Sequence, residues 1–234
     1  MKLKALKSAF PLTLPVMAGY LFLGFGFGIL LESKGFSFIW AFFMSIIIYA
    51  GSMQYVAIDL LSGGATFIAT ALMTVMIQIR HLFYGLSLIE KYKDTGKKKG
   101  LMIFQLTDET YSLIASAEPP DGVDKDWFYF FISILDHCYW IIGCTLGGLF
   151  GSVVTFNTRG VDFVMTALFI VIFTEQWLKT REHIPAVIGL GCSLICIFIF
   201  GANHFIVPAM TAILILLTIL KKPLQKRGAV NENS

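Results

Sequence analysis

Charge is scarce in this chain: 14% of its 234 residues are charged, against about 25% in an ordinary soluble domain. A soluble globular class is therefore excluded, and the length leaves no room for a separate soluble domain beside a membrane one. No linker and no low-complexity stretch divides the sequence. Hydrolase and nucleotide signatures are missing too: no G-x-S-x-G frame, no P-loop, no paired metal ligands and no H-E-x-x-H. Only four cysteines occur, Cys138, Cys144, Cys192 and Cys196, all within apolar runs where a thiol acts as a small hydrophobe. Cys192 and Cys196 share a helix face, but no His or carboxylate joins them at ligand spacing, so neither a metal nor a cofactor is expected. The net charge of +3 is small, with lysines gathered at Lys2, Lys4 and Lys7, at 91–99 and at 221–227. Such clusters at segment ends suit anchoring at anionic membrane lipid rather than nucleic-acid binding.

What is present is long apolar runs, with 56% hydrophobic residues and a mean hydropathy of +0.76. A run of about 20 apolar residues matches a hydrocarbon core of about 30 Å. Apolar segments fall near 9–31, 38–61, 65–89, 127–151, 162–178, 183–201 and 204–220, with a weaker one near 101–117. The expected fold is therefore all-α: a polytopic membrane protein of seven to eight hydrophobic segments, one transmembrane domain over 1–220 and a polar, flexible tail over 221–234. The first segment starts like a signal peptide, but its apolar run reaches Leu31, too long for a cleaved h-region, and it is read as an uncleaved helix.

Short basic loops belong on the cytoplasmic side. That rule places the N-terminus, the 91–100 loop and the tail together, yet three full crossings between Lys7 and Lys91 would separate the first two. The expected repair is that 38–61 breaks or re-enters at Ala50-Gly51-Ser52-Met53-Gln54, since broken backbone at membrane depth is tolerated where it lines a cavity or packs on protein. The plainer alternative is that Gly51 and Ser52 only allow close packing. Gly24/Gly28 and Gly143/Gly147/Gly151 form small-xxx-small faces, for which packing within the chain is expected ahead of dimerisation. Pro11, Pro15, Pro185 and Pro208 are expected to start or kink helices.

Polar groups inside apolar runs cost about 2–3 kcal/mol each at mid-bilayer and usually face a pathway or partner. Arg80 can fork onto a substrate carboxylate or pair with an acid on another helix. His81 can relay protons or mark an interfacial end. Asp108 and Glu109 point about 100° apart on a helix, so one can answer Arg80 while the other is solvated, unless the segment is a surface amphipathic helix. Asp136 shares a face with Tyr139 and Trp140, a lining for an apolar substrate. Asp108-x-x-Tyr111 and Asp136-x-x-Tyr139 hint at an internal duplication. Asp59, Glu175 and His204 read as interfacial. Spacing also permits a Ser52/His137 protease dyad, which chance produces readily.

In order and spacing these residues resemble the AzlC family, the large subunits of branched-chain amino acid exporters (BrnF- or YgaZ-like). The resemblance is carried by Pro15, Gly19, Gly24 and Gly28, by residues 50–54, Arg80-His81, Thr107-Asp108-Glu109, Asp136-His137-x-Tyr139-Trp140, and Asp162-Phe163 before 166–169. It implies export of leucine, isoleucine and valine, with methionine or toxic analogues as further substrates, from a bacterial cell. It also implies drive by the proton gradient and a small AzlD-like membrane subunit as partner. The physical expectation is that Gly51, Ser52, Gln54, Arg80 and Trp140 bind substrate while His81, Asp108, Glu109 and Asp136 couple protons or pair as ions. A non-transporting membrane subunit or an intramembrane enzyme is the alternative.

Overall fold

The computed structural model describes residues 2–93, 95–153, 170, 173–174, 177–178, 183–201, 205, 208–209, 211–213 and 215–220. Two compact units divide the chain, Met1–Thr166 and Ala167–Ser234. In the first, the described elements are α1 (Lys2–Ser33), α2 (Phe38–Ile47), α3 (Gly51–Ser62), α4 (Phe67–Ser87), a 3-10 turn (Gly96–Lys98), α5 (Lys99–Phe104), α6 (Asp108–Ser116) and α7 (Lys125–Val153). In the second, α8 spans Ile184–Phe200, with Pro185 in its first turn and Gly201 (φ 73°) ending it. Prolines suit a first turn, where the missing N–H has no partner to lose, and Gly accepts a left-handed backbone without a Cβ clash. The architecture is all-α, with several long apolar helices. Asp162, Glu175, His204, residues 166–169 and the 221–234 tail lie outside the described residues.

Three described helices, α1, α4 and α7, are long and apolar enough to cross a membrane. α1 begins seven residues before the expected start at 9 and passes through Pro11 and Pro15 without ending. It runs parallel to α7, and successive contacts climb both helices: Thr13 with Tyr139, Tyr20 with Trp140, Gly24 with Cys144, Gly28 with Gly147 and Gly148. Glycine makes this approach possible. A Cβ on Gly28 would fall 2.2 Å from the Cys144 carbonyl oxygen, and one on Gly147 would fall 2.1 Å from that of Phe25. The two small-residue faces thus meet each other within one chain.

The 38–61 run does break. α2 (10 residues) and α3 (12 residues) each span less than about 20 Å at 1.5 Å per residue, too short to cross. α2 starts beside Gly148, where Phe38 and Ala41 pack, and descends α7 until the Ser45 carbonyl meets His137. α3 starts over Trp140 and climbs back, Tyr55 donating to the Leu23 carbonyl of α1 (2.7 Å) and packing on Phe27. The weak 101–117 segment is also broken, which the sequence reading did not foresee. α5 rises from the Lys2 end to put Gln105 on His137, and α6 returns to that end, where Ile114 packs with Ala5 and Phe128. Two half-length hairpins therefore enter from opposite ends and meet at the level of residues 136–140. Lys2 and Lys98 lie over the same Trp127 ring, at 4.4 and 4.0 Å, so the basic N-terminus and basic loop share one end, as the charge rule requires.

Lys91 anchors that end. Its Nζ donates to the carbonyls of Ile114 (2.9 Å), Ala115 (3.0 Å) and Ala117 (3.3 Å) and to Glu118 (2.9 Å), filling acceptors that the end of α6 leaves open. The ammonium of Lys91 holds the Glu118 carboxyl below its ordinary pKa.

Two predictions follow from this packing. Gly28→Ala or Gly147→Ala should lower stability by about 1–3 kcal/mol or prevent folding, whereas Gly19→Ala, with nothing within 4 Å of its Cβ, should be neutral or slightly stabilising. Thermal unfolding in detergent followed by size-exclusion fluorescence checks both. Lys91→Met should cost about 1–2 kcal/mol in the same assay. Because the folded pKa of Glu118 is depressed, its small contribution is present at neutral pH and fades as pH falls through the carboxylate range.

Candidate functional site

A helix break leaves backbone groups without partners, and at mid-membrane depth no water answers them cheaply. The first break lies at 48–50, where Tyr49 takes a left-handed φ of 42° at a cost of about 1–3 kcal/mol. Both Ile48 and Tyr49 N–H groups turn to the Met44 carbonyl, so the Ser45 carbonyl loses its helical donor. His137 of α7 supplies one: Nε2 donates to that oxygen at 3.1 Å, and the imidazole packs on Tyr49 with centroids 4.0 Å apart. Across the break, the Ala50 N–H and the Trp140 indole N–H both donate to Gln54 Oε1, at 3.3 and 2.8 Å. The other imidazole nitrogen, Nδ1, accepts from Gln105 Nε2 at 2.9 Å, at the second break. A single histidine therefore ties both breaks to α7.

The two returning helices differ at their starts. α6 is capped: Thr107 Oγ1 accepts from the Thr110 N–H, and Asp108 and Glu109 fill the first turn, where negative charge suits the helix dipole. α3 has no side-chain cap. Arg80 of α4 bridges the two starts, Nη2 donating to Ser52 Oγ (2.8 Å) and Nη1 pairing with Asp108 Oδ2 (2.8 Å). Asp108 also accepts from the Tyr84 hydroxyl at 2.8 Å. Behind this pair runs a buried polar chain. The Tyr20 hydroxyl donates to Glu109 Oε2 (2.7 Å) and meets the Thr107 hydroxyl at 2.5 Å. Thr107 donates to Thr110 (3.0 Å), and Thr110 to Asp136 Oδ2 (2.8 Å).

Of the residues singled out from sequence, Ser52, Arg80 and Asp108 form one contact set, Glu109 and Asp136 a second through Tyr20, Thr107 and Thr110, and Gln54 and Trp140 a third, with Gly51 against the Trp140 ring. Arg80 takes the ion-pair option, with Asp108 as counter-ion. Glu109 is bonded to Tyr20 and half-buried rather than simply solvated, and α6 packs on α7 rather than lying as a surface amphipathic helix. Trp140 is 3% exposed, edge-on to Tyr20 and 3.2 Å from where a Gly51 Cβ would stand. His81 stands one step aside, half-buried, with Nδ1 on the Gln78 carbonyl and its ring against Tyr84. Asp59 is exposed. Ser52 and His137 do not pair, each being engaged elsewhere. Among the described residues no cluster of three metal-ligating side chains occurs.

Sequence reasoning missed Tyr20, Ser45, Tyr49, Gln105 and Thr110. Gln105 and Thr110 flank the acidic pair in an apolar segment, a signal that was available. Tyr20 and Tyr49 read as ordinary aromatics, and the part of Ser45 is played by its backbone. His137→Ala should unpin both breaks and lower stability by about 2–4 kcal/mol, since it strands a buried carbonyl and opens a cavity. Loss of hydrogen-exchange protection confined first to 45–54 and 103–110 would verify this.

The pattern of the AzlC protein family matches residues 15–154. The branched-chain amino acid transport protein AzlC of Bacillus subtilis is 52% identical over 222 residues, covering 95% of this chain and 87% of that protein. A membrane protein of Haemophilus influenzae is 42% identical, covering 92% and 89% of the two chains. The inner membrane protein YgaZ of Escherichia coli is 29% identical over 67% of each chain. No solved structure matches. The apolar helices and these relatives make the chain a membrane protein, and it belongs to the AzlC family.

Proposed function

We propose that this chain exports branched-chain amino acids across the bacterial plasma membrane as a multi-pass carrier coupled to the proton gradient, together with a small AzlD-type membrane subunit. Leucine, isoleucine and valine are the expected substrates, with methionine as a further one. The relatives' names point to transport rather than catalysis. The observation that carries the site is a surplus of unmet polar atoms around the breaks. On the donor side, Gln54 Nε2 and Arg80 Nε are buried without partners, beside the uncapped α3 start. On the acceptor side, Asp136 Oδ1 and Gln105 Oε1 are equally unmet. Buried polar atoms are rarely left unpaired. A zwitterion has the complementary set: a carboxylate for the α3 N–H groups, Arg80 and Gln54, and an ammonium for the acids.

The aliphatic tail would lie against Trp140 and the neighbouring aromatic rings. There one methylene more or less is worth only about 1–3 kcal/mol, which fits export of several aliphatic amino acids. Coupling follows if carboxyls exchange a proton for the substrate ammonium, with His81 beside Arg80 and Asp108.

The test is efflux of preloaded radiolabelled leucine from cells expressing this chain, with and without the small membrane protein, each repeated with a protonophore. Efflux that needs both chains and collapses with the gradient supports the full reading. Arg80→Ala and Asp108→Asn should each slow efflux about tenfold or more, equivalent to about 1.4 kcal/mol or more. Transport left intact by both substitutions would overturn the assigned site.

A further inference from the structure

Four oxygen–oxygen contacts link two carboxyls through three hydroxyls: Glu109–Tyr20 (2.7 Å), Tyr20–Thr107 (2.5 Å), Thr107–Thr110 (3.0 Å) and Thr110–Asp136 (2.8 Å). Each contact at such a distance needs one hydrogen between its oxygens, because two lone pairs facing each other there repel. Tyr20, Thr107 and Thr110 carry one hydroxyl hydrogen apiece, three in all. If both carboxyls are ionised, Tyr20 donates to Glu109, Thr110 to Asp136, and Thr107 can serve only one of the two remaining contacts. The fourth hydrogen has no source among the hydroxyls. The Thr110 N–H that reaches Thr107 makes a separate bond. The Tyr49 hydroxyl lies beside Thr110 and Tyr20 and interacts electrostatically with Asp136 and Glu109, but a hydrogen turned from it toward any of them would fall in none of the four contacts.

We infer that Glu109 and Asp136 share a single proton along the wire Tyr20–Thr107–Thr110. With the proton on Asp136, its O–H donates to Thr110, Thr110 to Thr107, Thr107 to Tyr20 and Tyr20 to a Glu109 carboxylate. Moving it reverses every bond. Asp136 passes its hydrogen to Thr110, each hydroxyl passes its own onward, Tyr20 delivers one to Glu109, and the negative charge moves from Glu109 to Asp136. No hydrogen is lost or gained, and no oxidant or further reactant is required. The two ends sit in different surroundings. Glu109 is half-buried and faces Asp108, Arg80 and Tyr20. Asp136 is 0% exposed, with one oxygen unmet, and faces Thr110, Glu109 and the Tyr20 and Tyr49 hydroxyls. A charge therefore costs more at Asp136 than at Glu109 unless a cation arrives there. An amine entering beside Asp136 would draw the negative charge inward and drive the proton out to Glu109. This use of the wire rests on the export reading above, whereas the hydrogen count does not.

The test is infrared spectroscopy of the full chain in lipid nanodiscs at neutral pH, reading the carbonyl stretch of protonated carboxyl groups without any substrate. The expected wild-type spectrum contains one such band from the pair; without a cation beside Asp136, carbon-13 in aspartate carboxyls shifts the larger part of it and carbon-13 in glutamate carboxyls the smaller part. Glu109→Gln and Asp136→Asn should each abolish the band, because the introduced amide donates the fourth hydrogen and the remaining carboxyl ionises. In a Thr110→Val background the wire is cut, and adding Glu109→Gln should leave any Asp136 band unmoved. A band that survives one single substitution and vanishes with the other, a band that only one label shifts, or no band at all overturns the shared proton. The labelling arm needs no variant, so a misfolded substitution leaves the test intact. Leucine efflux failing while both labels shift the band would sink the export reading and keep the wire, and the reverse outcome would do the opposite.

Discussion

The arrangement of the first unit depends on α7 presenting Asp136, His137 and Trp140 at one level of its length. Two helices end in mid-path there, and each ending exposes backbone groups that a membrane interior does not solvate. His137 answers the first break at the Ser45 carbonyl and reaches the second through Gln105. Trp140 fixes Gln54, which in turn holds the Ala50 N–H. Asp136 holds Thr110, just inside α6. Without these side chains the half-length hairpins would have no reason to stop where they do.

Close packing of α1 on α7 makes that level a narrow one. Gly24, Gly28, Gly143 and Gly147 bring the backbones together and carry Tyr20 to the acidic end of α6. Lys91 and the shared Trp127 site then fasten the basic end of the unit, closing α6 against α7 from below. Apolar contact stabilises the frame, and the polar groups choose its register. That division is expected where lipid outside is as apolar as the core and offers little drive for helices to associate.

The polar groups fall into two connected systems of different character. Arg80, Asp108, Ser52 and Tyr84 form a charged bridge between the starts of α3 and α6, partly open at its edge. Glu109, Tyr20, Thr107, Thr110 and Asp136 form an inner chain of hydroxyls and acids. Adjacent carboxyls, Asp108 and Glu109, belong to different systems because a helix turns them about 100° apart. That one geometric fact separates the residue that answers Arg80 from the residue that accepts from Tyr20.

Much of this was legible in the sequence, and for physical reasons. Long apolar runs demand helices in lipid, basic clusters mark ends, and the parity of those clusters called for one of the first three segments not to cross, with 38–61 the best candidate; the structure places the break at 48–50, beside the Gly51-Ser52 pair that suggested it. The glycine spacings announced a tight interface. The 101–117 break was not legible, because an apolar stretch with two acids reads equally well as a surface helix. Only tertiary structure decided that Arg80 pairs with Asp108 and that Tyr20, 87 residues from Thr107, closes a chain of hydroxyls. Local pattern determines which segments are helical and buried, since that depends on hydropathy and period alone. Which polar atoms meet depends on the depth at which each broken helix stops, and that is settled by distant partners on α7 and α1.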